Sequence, residues 1–272
     1  MKFLCIHGAC CNPDTMKWSI NRLLRQLSDD ENITFHFAKG YLDSPPPPWL
    51  AEQLEGPPHL RFFQWDSAFL DIGYDRHVEK HGVPDLKNIR DTDVEEAKRD
   101  LAPIYEDLDI APEPWSVSVA LEYLHNIIED EGPFHGVIGV SEGAAVAATL
   151  LVEDLQSRAA GGTRSDLRCG LFYIGAPAMS ADGTRAVLYE EDGQVVNVPT
   201  CHVMGVKDMF RVFAEPLLKI CDPDKALVIN DPGGHRIPQD VETNDLIAEW
   251  IRQQQREFVK EQRDGAAALG SA

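Results

Sequence analysis

A serine hydroxyl does chemistry only when a turn exposes it and a base takes its proton. One serine of this chain is set in a pattern that offers the first of these. Ser141 lies within Gly139-Val140-Ser141-Glu142-Gly143, between the apolar run Gly136–Val140 and an Ala-rich stretch starting at Gly143. A G-x-S-x-G match alone is weak. Between a strand-like and a helix-like segment it becomes the signature of a sharp strand-to-helix turn that lifts the serine out of the carboxyl end of a sheet, with flanking glycines leaving room for strand and helix to approach. The plainer alternative is a tight glycine turn whose serine caps a helix.

A base and a carboxylate must join it. Of the nine histidines, His202 falls inside a strand-like run and His135 just before one. His235 follows the last apolar run, Ala226–Asn230, in the loop Pro232-Gly233-Gly234-His235, where it can reach back over the sheet end. The acid must fix the imidazole tautomer and stabilise its cation. Asp208 stands at the carboxyl end of the run Cys201–Val206, whereas Asp222 and Asp224 sit near the amino end of the last strand, away from the chemistry. An exposed loop histidine and a helix-capping aspartate are the ordinary readings of these two residues. The order Ser141, Asp208, His235 matches that of α/β-hydrolases and not the other two common orders. Backbone donors for an oxyanion are expected at Glu142, just after the serine at a helix start, and in the loop after the first strand, His7-Gly8-Ala9-Cys10, at Ala9 or Cys10.

The elements that must position these residues alternate. Phe3–Ile6 predicts a buried strand, Asn12-Pro13 a capped helix start with Trp18, Leu23, Leu24 and Leu27 on its apolar side, and Ile33–Ala38 a second strand. After an irregular stretch, Ser116 is placed to cap a helix lined by Val117, Ala120, Leu121, Leu124 and Ile128. Then come strand Gly136–Val140, helix Gly143–Leu155, strands Leu171–Ile174 and Cys201–Val206, helix Phe210–Ile220, strand Ala226–Asn230 and a helix over Val241–Val259. Continuous apolar strands alternating with helices imply a mostly parallel sheet with helices on both faces. Residues 1–262 read as one α/β domain. The Pro-rich stretch 39–114 reads as a lid-like insertion over the active-site end, since loops that long are uncommon unless functional. Residues 263–272 read as a flexible tail.

Composition narrows the function classes. The 272 residues carry 25 Lys and Arg against 45 Asp and Glu, a formal net charge of −20. Such a chain repels phosphate backbones and anionic lipid, so neither nucleic acid nor a membrane surface is an expected partner. The longest nearly apolar run, Ala144–Val152, is far shorter than the ~20 residues of a spanning helix. No signal-peptide pattern opens the chain, and a cytoplasmic protein with its six cysteines as reduced thiols is the expectation. Cys5 and Cys201 read as core. Cys10-Cys11 lacks zinc-ligand spacing, so no metal is expected.

The opening Leu4-Cys5-Ile6-His7-Gly8-Ala9, the elbow Gly139-Val140-Ser141-Glu142-Gly143-Ala144-Ala145, the segment His202-Val203-Met204-Gly205-Val206-Lys207-Asp208 and Gly234-His235 resemble the fungal serine hydrolase family of α/β-hydrolases. Within it they are most similar to the thioesterases that release products in fungal polyketide pathways, of the lovastatin type. The likeness runs from Lys2 to about Val259. It implies the α/β-hydrolase fold, no cofactor, Ser141 as nucleophile, Asp208 as acid, His235 as base, the amides of Ala9 and Glu142 as oxyanion donors, and acyl esters or thioesters as substrates. Val140 stands where the family often has Phe, which alters the pocket wall, and Cys10-Cys11 falls in a variable part of the oxyanion loop.

Substrate is less legible. Trp49, Phe63, Trp65 and Phe69 of the insertion are candidates for an acyl pocket, the alternative being that they form the insertion's own core. An acyl carrier protein of a polyketide synthase is a candidate partner. Carrier domains are typically acidic, so docking needs a local basic patch, for which Arg61, Lys87, Arg90, Lys98 and Arg99 are candidates. A general carboxylesterase for small free esters and a non-catalytic binding protein of the same fold are the competing functions. A histidine base must start neutral, so the rate should rise with pH through the imidazole range, near ~6.5 for an ordinary histidine. A pH–rate profile flat from pH 5 to 8 would contradict a histidine base.

Overall fold

The computed structural model describes residues 1–46, 51, 56–65, 112–162, 165–208 and 210–269. Six strands form one sheet: β1 (Lys2–Ile6), β2 (Thr34–Ala38), β5 (Gly136–Val140), β6 (Gly170–Tyr173), β7 (Thr200–Gly205) and β8 (Ala226–Asp231), in the order β2-β1-β5-β6-β7-β8. Every neighbouring pair is parallel, with Ile6 opposite Gly139 and Val140 opposite Tyr173. From β1 the chain winds one way to β2 and the other way from β5 to β8. The connections therefore diverge between β1 and β5, and a parallel sheet opens a crevice at its carboxyl edge at such a point.

Strand alternation divides the core into two layers. Leu4 and Ile6 of β1 face a layer shared with α3 (Pro114–Glu131) and α4 (Glu142–Ala159), while Phe3 and Cys5 face a layer shared with α1 (Pro13–Ser19), α2 (Asn21–Gln26) and α7 (Val241–Leu269). The expected face of α3, Val117, Ala120, Leu121, Leu124 and Ile128, is buried throughout. Helix α4 turns Ala144, Ala145, Ala147 and Ala148 wholly inward, and such short side chains let it lie close on the sheet.

Asn12 caps α1 through Oδ1, which accepts from the amides of Asp14 (2.9 Å) and Thr15 (3.0 Å), and Pro13 occupies the first turn. The single helix expected there is two, broken at Ile20. Its buried stripe is Met16, Ile20, Leu23 and Leu27, and at 100° per residue Trp18 falls off that stripe, which leaves it 63% exposed. Ser116 does not cap α3. Glu113 is the cap, and Ser116 lies in the first turn, its hydroxyl donating to the Glu113 carbonyl (2.7 Å) and accepting from the Gln64 amide (2.9 Å). Helix α7 continues to Leu269, past Val259 and through most of the stretch expected to fray.

The described part of 39–114 contains a small antiparallel pair, β3 (Leu42–Asp43) with β4 (Leu60–Arg61), and the Cys11 bridge to Leu60 ties it to the loop after β1. Helices α5 (Tyr189–Asp192) and α6 (Arg211–Lys219) complete the described elements. None of the described helices is long and apolar enough to cross a membrane. All six cysteines are free thiols, Cys5 and Cys201 fully buried.

His202 lies in β7, buried, with Nε2 3.0 Å from the Thr200 hydroxyl. Burial pushes its pKa down to about 4, while the unfolded chain takes up the proton near the ordinary imidazole value of ~6.5. The unfolded state therefore binds more protons between those limits, and stability is full above pH ~6.5 and falls toward pH 4. This residue's share is up to roughly 3 kcal/mol. Urea melts of the parent and His202→Phe at pH 7 and pH 4.5 should show a smaller pH gap in the variant. An equal gap in both proteins would contradict the assignment.

Candidate active site

The turn after β5 is built for close approach. Ser141 has φ 54° and ψ −121°, a strained conformation for a residue with a side chain. Its amide donates to the Tyr173 carbonyl (3.0 Å), and its carbonyl accepts from Ala144 (2.9 Å). A methyl group on Gly139 would lie 2.4 Å from the Cα of Ala144, and one on Gly143 2.2 Å from the Ile6 carbonyl oxygen. Both glycines are thus required by the packing of α4 against β5 and the end of β1.

The structure brings the three expected side chains together. The Ser141 hydroxyl lies 3.0 Å from His235 Nε2, and His235 Nδ1 lies 3.0 and 2.9 Å from the two Asp208 oxygens. An ionised carboxylate only accepts, so the ring proton sits on Nδ1 and leaves the Nε2 lone pair facing the serine. Asp208 is buried and also accepts from the Phe210 amide through Oδ1 (2.8 Å). It therefore serves the local turn as well as the imidazole. The loops carrying the two residues are stitched together: Val206 N donates to the Asp231 carbonyl (2.7 Å) and Lys207 N to the Gly233 carbonyl (2.9 Å). The Phe210 ring meets the imidazole edge-on at 5.0 Å.

The loop after β1 borders the serine. A methyl group on Gly8 would lie 3.3 Å from the Ser141 Cβ. Of the two candidate donors in this loop, the Cys10 amide is directed to the Ser44 hydroxyl (3.3 Å), which leaves Ala9. No acceptor among the described residues takes up the Ala9 amide, and the Glu142 amide is in the first turn of α4, where helix N–H groups lack helical partners. His7 braces the loop from beneath. Its Nε2 accepts from the Gly40 amide (2.9 Å), so Nδ1 carries the proton and donates to the Gly8 carbonyl (2.8 Å). Burial pushes this ring down to about 4, so it stays neutral.

Sequence reasoning used only the amide of Glu142 and missed its side chain. That carboxylate is buried and accepts from the Phe62 amide (3.1 Å), the Phe63 amide (3.4 Å) and the Trp65 indole N–H (2.8 Å), and it pairs with Arg61 (3.2 Å). Burial nevertheless raises its pKa, the guanidinium and the N–H donors offsetting only part of the shift. The available signal was a charged residue inside an otherwise apolar strand-turn-helix; nothing in the sequence pointed to its partners.

These contacts correct several expectations. Phe63 is fully buried in the main core with Leu4, Ile6 and α3 residues, and Trp65 is nearly so. They pack and bond rather than face an open acyl pocket. Arg61 is drawn inward by Glu142, with a side chain 12% exposed, and is not part of a surface patch. Trp49, Phe69, Lys87, Arg90, Lys98 and Arg99 lie outside the described residues. Among the described residues, no cluster of His, Cys, Asp or Glu side chains is arranged to hold a metal ion.

The sequence model of the family described as serine hydrolase (FSH1) matches residues 1–247. The chain belongs to the FSH1 serine hydrolase family. It is 25% identical over 252 residues to the hydrolase phiM of Talaromyces stipitatus, covering 91% of this chain and 84% of that one. It is 25% identical over 258 residues to the esterase FPY3 of Fusarium mangiferae, covering 92% and 95%. In structure it is similar to acyl-protein thioesterase 2 of Zea mays, with a TM-score of 0.50, 13% identity and 93% of each chain covered, a likeness of fold.

Gly205, at the end of β7, is where the Asp208 and His235 loops converge. A methyl group there would lie 2.4 Å from the Gly234 carbonyl oxygen and 3.0 Å from the Asp208 Cβ. Gly205→Ala should push the two loops apart and lower ester turnover by about 10²-fold, as misplacing reactive groups by ~1 Å does. Turnover and melting temperature measured together check this. A folded variant with parental turnover would show that the close approach is dispensable.

Proposed function

We propose that this family member hydrolyses acyl thioesters or esters through an acyl-enzyme, with Ser141 as nucleophile, His235 as general base and Asp208 as the acid that holds the imidazole. The observation that carries the reading is the unbroken hydrogen-bond chain from the Ser141 hydroxyl through His235 to Asp208 at the carboxyl edge of a parallel sheet. His235 Nε2 takes the hydroxyl proton as the serine oxygen attacks the acyl carbonyl. The amides of Glu142 and Ala9 receive the oxyanion. Collapse expels the thiol or alcohol, protonated by His235, and water repeats the sequence to free the carboxylate and the serine.

Esters are favoured as a class by the relatives named as esterases. The finer assignment, release of a polyketide or related acyl chain from a carrier thioester, is supported by the resemblance of the opening and the Ser-Glu-Gly elbow to polyketide-pathway thioesterases. With Arg61 paired inward, a basic docking face for an acidic carrier must come from elsewhere on the surface.

An active-site serine probe, with Ser141→Ala as control, tests the core of the proposal. Labelling is expected in the parent and absent in the variant; labelling that persists would name the wrong serine, and an unlabelled, folded parent would favour a binding protein. Matched acyl-thioesters and oxygen esters then separate the finer readings. A higher kcat/KM on thioesters is expected, and a strong oxygen-ester preference would leave a general carboxylesterase.

A further inference from the structure

Both amides assigned to the oxyanion are held by one stretch of chain, residues 58–65. At its start, this stretch grips the loop that carries Ala9. The Pro58 carbonyl accepts from the Asn12 side chain (2.9 Å), His59 Nδ1 donates to the Cys10 carbonyl (2.9 Å), and the Leu60 amide donates to the Cys11 carbonyl (2.9 Å). The Ser44 amide donates to the His59 carbonyl (2.9 Å) while the Ser44 hydroxyl accepts from the Cys10 amide, which adds a second tie to the same loop. In its middle, the Phe62 ring packs on His7 at 4.9 Å. At its end, Arg61, Phe62, Phe63 and Trp65 converge on the Glu142 carboxylate.

A carboxylate in the first turn of a helix is favourable while exposed, where it meets the positive end of the helix dipole. Glu142 is instead buried, which costs several kcal/mol unless hydrogen bonds and a counter-charge offset it. Four partners from one five-residue stretch offset part of that cost, and all four lie on the stretch that also holds the Ala9 loop. Simple stability does not require such an arrangement, because an apolar side chain of similar volume would fill the space without the burial cost.

We propose that residues 58–65 act as a strut that sets the separation of the Ala9 and Glu142 amides, with the Glu142 carboxylate as its anchor and Trp65 as a positioning residue. The inference rests on the hydrolase reading above and adds to it a device for holding the oxyanion donors in register. Donors aimed at a charge that develops only in the transition state act on kcat and not on substrate binding. Loosening the strut therefore lowers kcat and leaves KM in place.

The test uses the full chain with 4-nitrophenyl butyrate as substrate and an alkyl trifluoromethyl ketone, whose serine adduct needs the same donors, as inhibitor. Glu142→Ala is expected to lower kcat by about 10²-fold with KM within about twofold, and Glu142→Gln, which keeps one acceptor, to recover part of the loss. Trp65→Phe removes the indole donor while keeping an aromatic ring in the core; it should lower kcat several-fold and decides the matter if Glu142→Ala does not fold. Inhibitor affinity should fall in step with kcat across the series. Folded variants that keep parental kcat and inhibitor affinity, or that change only KM, would overturn the strut. That outcome leaves the hydrolase reading intact so long as Ser141→Ala abolishes labelling by the serine probe, whereas a parent with no Ser141-dependent labelling would remove the reading itself.

Discussion

The active end of this molecule depends on how closely helix α4 passes the end of strand β1. With Gly143 against the Ile6 carbonyl, there is no room for a single methyl group. That proximity sets the first turn of the helix, the loop after β1 and the serine side by side. It also forces Ser141 to φ 54°, at a cost of about 1–3 kcal/mol. The strain persists because Val146, Leu150 and Leu151 of the same helix are fully buried, each stabilising by about 1.5–3 kcal/mol. Sliding the helix away to relax the serine would uncover all three, so packing outweighs backbone strain.

The Glu142 carboxylate shows the opposite balance. Its pKa is raised because desolvation outweighs the favourable contacts, so its charged form is less at ease in the folded chain than in the unfolded one. Linkage then makes it a net cost to stability at neutral pH. A group kept in that condition, with every partner drawn from one neighbouring segment, is better explained by the geometry it imposes than by the energy it contributes. The same ion pair absorbs the charge of Arg61.

Legibility in the sequence followed the range of the interaction. The parallel sheet was readable because each strand is a continuous apolar run, and the contact of Ser141, His235 and Asp208 was foreseeable because each lies just past the carboxyl end of a strand, where topology alone brings distant segments together. Helix phase was less secure. Near-helical spacing sets Trp18 with Leu23, Leu24 and Leu27, whereas the stripe through Met16, Ile20, Leu23 and Leu27 leaves it in solvent. What stayed hidden was long-range and local in space: Arg61, Phe63 and Trp65 meet Glu142 across a separation of 77–81 residues, and no periodicity encodes such a meeting. The insertion's aromatics read as a pocket or as the insertion's own core, but nothing in the sequence pointed to Phe63 and Trp65 joining the main core or to the Trp65 indole bonding a carboxylate.

Two histidines border the serine's surroundings, and their environments decide which of them can act. His7 lies under the loop after β1 with both ring nitrogens engaged, one accepting from Gly40 and one donating to Gly8. Burial holds it neutral down to about pH 4, and neither nitrogen has a carboxylate beside it. Protonation would place a charge in the core and break the Gly40 contact, so this ring is fixed as scaffold. His235 is the reverse case. Its side chain is 24% exposed, its Nδ1 faces the buried Asp208 carboxylate, and its Nε2 faces a hydroxyl. The two histidines differ in that only His235 has a carboxylate at its back.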